Sequence, residues 1–232
     1  MHEVKKKKVD PTEVLELKLE GFQPSVTDAF FINRMIEPYY SSFMDSDAVT
    51  GSVITSKYST VVKNSDDDAE EEDDSNDDNG QDVVFSITTG VPISSSKDKD
   101  HIRIKNSLFA LLNTSDDRSK SIKDQLWNKN TESFFLVYER YPNLPDSTNR
   151  HSVKGIFEEI KKDIVGKEVF LVQIISYIAE NDSKETVYPE LERIFNESSF
   201  KLNLDSVEKG EDNVSYCLVV NSFDKFSELY GI

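Results

Sequence analysis

The chain has 232 residues, 37% of them hydrophobic, which is enough to bury one good-sized core and short enough to predict a single domain. Its 44 acidic against 27 basic side chains give a net charge of −17, which repels bare nucleic acid and anionic membrane and asks for a cationic partner. A lone cysteine excludes a disulfide framework and a cysteine zinc site, no run is long and apolar enough to span a membrane, and no apolar signal segment opens the sequence.

Lys5 to Lys8 make residues 1–13 a basic tail, either a solvated terminus or part of a nuclear-import signal. Val14 to Phe22 alternates apolar and polar, the pattern of a half-buried strand. Ala29 to Phe43 places Ala29, Ile32, Ile36, Tyr40 and Phe43 on one side of a helix that Pro38 should kink or end. Gly51 to Tyr58 and Asp82 to Ile87 read as two strands, adjacent and antiparallel. Between them, residues 65–82 hold eleven carboxylates and no Lys or Arg, so about −6 of the net charge lies outside this stretch. Such a like-charge run has nothing apolar to reward collapse, and a disordered loop is expected. Asp66, Asp67, Asp68, Glu70, Glu71, Glu72, Asp73, Asp74, Asp77 and Asp78 are its electrostatic candidates for meeting a partner.

Two helices are expected next, at Ile102 to Asn113 with Leu108, Leu111 and Leu112 inward, and at Asp116 to Asn130 with Ile122, Leu126 and Trp127 as apolar points. The most legible stretch follows. Phe134 to Tyr138 has the composition of a buried strand, and Pro142 and Pro145 then stop any ladder. Asp146, Ser147, Thr148 and Asn149 are helix-capping types, and Val153, Ile156, Phe157, Ile160 and Ile164 form one apolar stripe. Gly166 suits the helix C-terminus, and Glu168 to Ile178 reads as a second strong strand, which makes a β-α-β unit the centre of the fold. Tyr188 to Phe195 should be a short helix, Ser199 to Leu204 and Val214 to Val220 a closing pair of strands, and Phe223 to Tyr230 a last helical segment. This order predicts the α+β class: a mixed, largely antiparallel sheet with helices inserted.

No motif points to an enzyme. His2, His101 and His151 are scattered, and Cys217 lies in an apolar strand-like run where a structural thiol is expected. No P-loop, Gly-x-Ser-x-Gly or kinase signature occurs. No cofactor or metal site is expected.

Three pieces of the chain resemble the BCCIP family. Glu139-Arg140, followed by Asn143 and Pro145, is similar to the family's Ser-Glu-Arg-x-x-Asn-x-Pro, with Tyr138 where relatives often have serine. Gly51-Ser52-Val53-Ile54, an acidic insert, then Val84-Phe85 leading to Ile87 repeats a second family feature. Tyr188 to Leu204 and Val214 to Ile232 follow the family's closing helix, strand, strand, helix order, so the resemblance covers nearly everything from Val14.

The resemblance implies a fold similar to GNAT acetyltransferases without acetyl transfer. It also implies a dedicated nuclear chaperone that escorts one basic large-subunit ribosomal protein, the fourteenth in universal numbering, during assembly of the large subunit; a monomer is expected. Fungal members are linked to nuclear export of a phosphoinositide kinase, which would bring in nuclear transport factors. No direct nucleic-acid or membrane contact is implied.

GNAT catalysis needs a glycine-bearing, pyrophosphate-binding turn between a strand and a helix, and no two of the eight glycines here form Gly-x-Gly. The acidic run is then either a solubilising loop or a mimic of the rRNA that the client later meets. Glu139 and Arg140 either shape their turn through an ion pair or hydrogen bonds, or contact the client directly. An acidic histone-type chaperone, an export adaptor and a residual acetyltransferase are the competing readings.

Overall fold

The computed structural model describes residues 18–65, 83–113, 116–180, 183–204 and 214–232. Among the described residues eight strands form one sheet: β1 (Leu19–Phe22), β2 (Ser59–Asn64), β3 (Val84–Pro92), β4 (Thr131–Arg140), β5 (Glu168–Glu180), β6 (Ser183–Thr186), β7 (Phe200–Leu204) and β8 (Val214–Ser222). The order across it is β1-β2-β3-β4-β5-β8-β7, with β6 pairing the far end of β5. Among these pairings only β4 with β5 is parallel. That crossover is made by α5 (Ser147–Asp163), as the β-α-β reading expects.

β4 is buried along its whole length, and its alternation divides the hydrophobic interior between the two sheet faces. Phe135 and Val137 face α1 (Ala29–Tyr40), α2 (Ser46–Thr55), α3 (Lys99–Leu111) and α4 (Asp117–Leu126), meeting Ile32, Val49, Val53, Ile104, Leu108 and Leu126. Phe134, Leu136 and Tyr138 face α5, α6 (Glu192–Glu197) and α7 (Phe223–Tyr230), meeting Val153, Ile160, Ile194 and Phe226. The class is α+β, with a largely antiparallel sheet flanked by helices on both faces.

Several local expectations change. Gly51 to Thr55 is not a strand but the second half of α2, and the strand comes later, at Ser59–Asn64. Asp45 starts this helix by accepting from the N–H groups of Asp47 and Ala48, at 3.0 and 3.2 Å. Burial of Ala48, Val49, Ser52 and Val53 on one side then outweighs the strand preference of its β-branched residues. Gly51 has a packing reason, because a Cβ there would collide with the Asp100 carboxylate on α3. The antiparallel pairing across the acidic run holds, between β2 and β3.

α1 ends at Tyr40, within a turn of Pro38, rather than at Phe43, and α4 stops at Leu126 rather than continuing to Asn130. β6 was not expected from the sequence, and the Tyr188 to Phe195 segment splits into a 3-10 turn (Pro189–Leu191) and α6. Of the first expected strand, Leu19–Phe22 is seen. The basic tail and residues 14–17 of that strand lie outside the described residues.

Candidate functional site

β4 and β5 are paired from Thr131↔Glu168 to Leu136↔Gln173 and then part: β4 runs on to Arg140, while β6 takes the same edge of β5 from Tyr177 to Glu180. β3 stays with β4 up to Ser86↔Arg140, so the opening lies only on the β5 side. Polar groups exposed by such a split must find other partners. Tyr188, arriving between β6 and the 3-10 turn, supplies them. Its hydroxyl receives the Arg140 N–H at 3.4 Å and lies 2.9 Å from both the Arg140 carbonyl and Glu139 Oε2.

Adjacent strand residues point to opposite faces, so Glu139 and Arg140 do not pair with each other. Arg140 pairs bidentately with Glu190, Nε to Oε1 at 2.9 Å and Nη2 to Oε2 at 3.1 Å, and Tyr138 donates to Glu190 Oε1 at 2.6 Å. Its remaining nitrogen, Nη1, donates to the carbonyls of Tyr141, Pro142 and Leu144. One guanidinium therefore ties the turn after β4 to the segment before α6. Burial pulls the Glu190 carboxyl up, but the Arg140 and Tyr138 hydrogen bonds outweigh it and hold the group below the usual carboxylate range.

Glu139 is the opposite case. It is 4% exposed and has no ion-pair partner among the described residues, and burial pushes its pKa up to about 8, against partial relief from Tyr188 and Tyr40. The geometry explains how it is accommodated. The Tyr188 hydroxyl has one proton for two acceptors, the Arg140 carbonyl and Glu139, and a protonated Glu139 carboxyl supplies the second. Glu139 also forms part of the wall of a cleft of about 220 Å3, with Arg34, Met35, Pro38, Tyr39 and Tyr141.

Both candidates from the β4 end are thus brought together and internally engaged. Asp66, Asp67, Asp68, Glu70, Glu71, Glu72, Asp73, Asp74, Asp77 and Asp78 lie outside the described residues; the chain they belong to joins β2 to β3. Tyr188 and Glu190, which complete the network, carry no motif, and their contacts come from some 50 residues away in sequence.

The turn between β4 and α5 has a definite chemical polarity. Its carbonyls converge on Arg140, whereas a phosphate-binding turn offers N–H groups. Asp146 begins α5 without a side-chain cap bond, and the Thr148 and Asn149 amides are already used by the carbonyls of Pro145 and Asp146. Cys217 is buried on β8, and burial pushes its thiol up to about 11.

The family model for BCCIP matches residues 14–212. The crystal structure of BCP1 from Saccharomyces cerevisiae superposes with a TM-score of 0.70 at 11% identity, covering 99% of this chain and 92% of that one. The loading GNATL domain of CurA from Lyngbya majuscula gives a TM-score of 0.47 at 9% identity, covering 90% of this chain and 99% of that one. None of the curated proteins compared by sequence matches.

Proposed function

The chain belongs to the BCCIP family, and we propose that it is a non-enzymatic nuclear chaperone that binds and shields a basic ribosomal protein. The client we infer is the fourteenth universal protein of the large subunit. The observation carrying this reading is a net charge of −17 on a fold whose central strand-to-helix turn is filled by its own arginine. A turn that presents carbonyls to a cation is a poor seat for a phosphorylated cofactor, which supports a binding role over acyl transfer. An anionic surface raises the encounter rate with a cationic protein and screens it from stray nucleic acid.

In this reading the ten carboxylates between Asp66 and Asp78 act as an electrostatic lure. Glu139 and Arg140, being buried, act by holding the turn and the cleft beside it in shape. The test is competition for a pre-formed complex with the ribosomal protein, using core histones as the rival cation. Histones that fail to displace the client at equal concentration support a dedicated chaperone. Displacement in proportion to histone charge contradicts it and favours a histone-type role.

A further inference from the structure

Between β1, β2 and α5 runs a groove of about 600 Å3, separate from the Arg140 network. Three features of it have no explanation within the fold. First, Gly155 lies in the interior of α5, exposed to the groove, with nothing within 4 Å of the position a Cβ would take. Glycine in a helix interior costs about 1 kcal/mol relative to alanine. At Gly51 a close neighbour requires that cost; at Gly155 no neighbour among the described residues does.

Second, β1 is the outer strand of the sheet among the described residues. Lys18 O accepts from Ser65 N at 2.7 Å, which sets the antiparallel alternation and turns the main-chain groups of Leu19 and Gly21 away from β2. Third, the groove's charge is one-sided. Glu159 lines it without an ion-pair partner among the described residues, while its lysine, Lys57, is held by Asp163 at 2.7 Å.

We propose that this groove binds an extended, basic segment of a partner protein. Its main chain runs along β1 within reach of Leu19 and Gly21 and passes close against Gly155, and a cationic side chain meets Glu159. An extended chain fits because only a bare backbone exploits both an open strand edge and a missing Cβ, as in strand addition to a sheet edge. The inference rests on the reading of this protein as a carrier of a basic client, and gives that client a place to dock.

The experiment titrates the full chain with a fluorescein-labelled peptide of alternating lysine and valine at near-physiological salt, following hydrogen exchange at individual amides. The expected result is slowed exchange at Leu19 and Gly21 in the complex and binding weakened about tenfold or more by Gly155→Leu. That variant improves helix propensity and should melt at or above the wild-type temperature, so lost binding would not be lost folding. Glu159→Lys should weaken the same peptide several-fold while improving binding of a glutamate-valine peptide.

Unchanged exchange at Leu19 and Gly21, or equal peptide binding by wild type and Gly155→Leu, overturns the proposal. The ribosomal protein separates this outcome from the broader one. If it binds wild type and Gly155→Leu equally, the groove is not its site and the chaperone reading stands. If it does not bind wild type while the peptide does so as described, the groove stands and the client is wrong.

Discussion

Glu139 is a carboxyl whose folded pKa is raised from about 4.5 to about 8 by burial, and this fixes the sign of a pH effect. The folded state holds this proton more tightly than the unfolded chain. The associated stability is therefore fully present below the unfolded value and is lost as pH rises through about 8. Glu132 and Glu190 are shifted down, so their contributions are lost only as pH falls below the ordinary carboxylate range. Across its full range the Glu139 shift costs on the order of 3–5 kcal/mol, and His101, whose pKa burial lowers, adds a slope of opposite sign below the ordinary imidazole value. Glu139→Gln keeps a hydrogen-bonding group and removes the titration. Urea unfolding at pH 5 and pH 8 should show a smaller difference for the variant than for wild type; equal slopes would mean that Glu139 ionises normally. Arg140→Met leaves Glu190 without its bidentate partner and three turn carbonyls without their donor, and should destabilise by about 3–5 kcal/mol, read in the same unfolding experiment.

At the scale of elements, two glycines in and after α5 make opposite predictions. Gly166 has φ +77°, so Gly166→Ala strains the backbone and should lower stability by about 1 kcal/mol even though nothing crowds the site. Gly155 is helical and uncrowded, so Gly155→Ala should raise stability by about 1 kcal/mol. Thermal melts of the two variants check both signs.

The β4-α5-β5 unit is legible in the sequence because each local signal agrees with the fold. Phe134 to Tyr138 is apolar on both sides because the strand is covered on both faces, and Val153, Ile156, Phe157 and Ile160 mark the one face α5 buries. α2 is illegible because Val49, Thr50, Val53, Ile54 and Thr55 are strand formers, and only the packing of α2 on α1 and α3 decides otherwise. The Arg140 network is half legible. Glu139 and Arg140 stand out beside the prolines, but their partners Tyr188 and Glu190 meet them only through the return of the chain after β6. The Gly155 groove gives no sequence signal, since a single glycine in an amphipathic stripe acquires meaning only once its neighbours are known.

The whole molecule pairs a core buried on both faces of its sheet with a net charge of −17. A fold whose strand-to-helix turn points carbonyls inward should not gain from a coenzyme. Acetyl-CoA at about 1 mM should leave the melting temperature unchanged, whereas a rise of several degrees would reveal a seat for it. The acidic stretch and the folded surface have separable roles. Long-range attraction fails when salt shortens the Debye length, while a shape-matched contact persists.

The measurement that separates them is a binding titration against the fourteenth universal large-subunit ribosomal protein, over a salt series, with residues 65–82 present and deleted. The account predicts binding that survives roughly 0.3–0.5 M salt, where exposed charge contacts are largely screened. It also predicts that the deletion slows association more than it weakens the complex. Binding that disappears with either the salt or the deletion would contradict it, leaving a general polyanion in place of a dedicated chaperone.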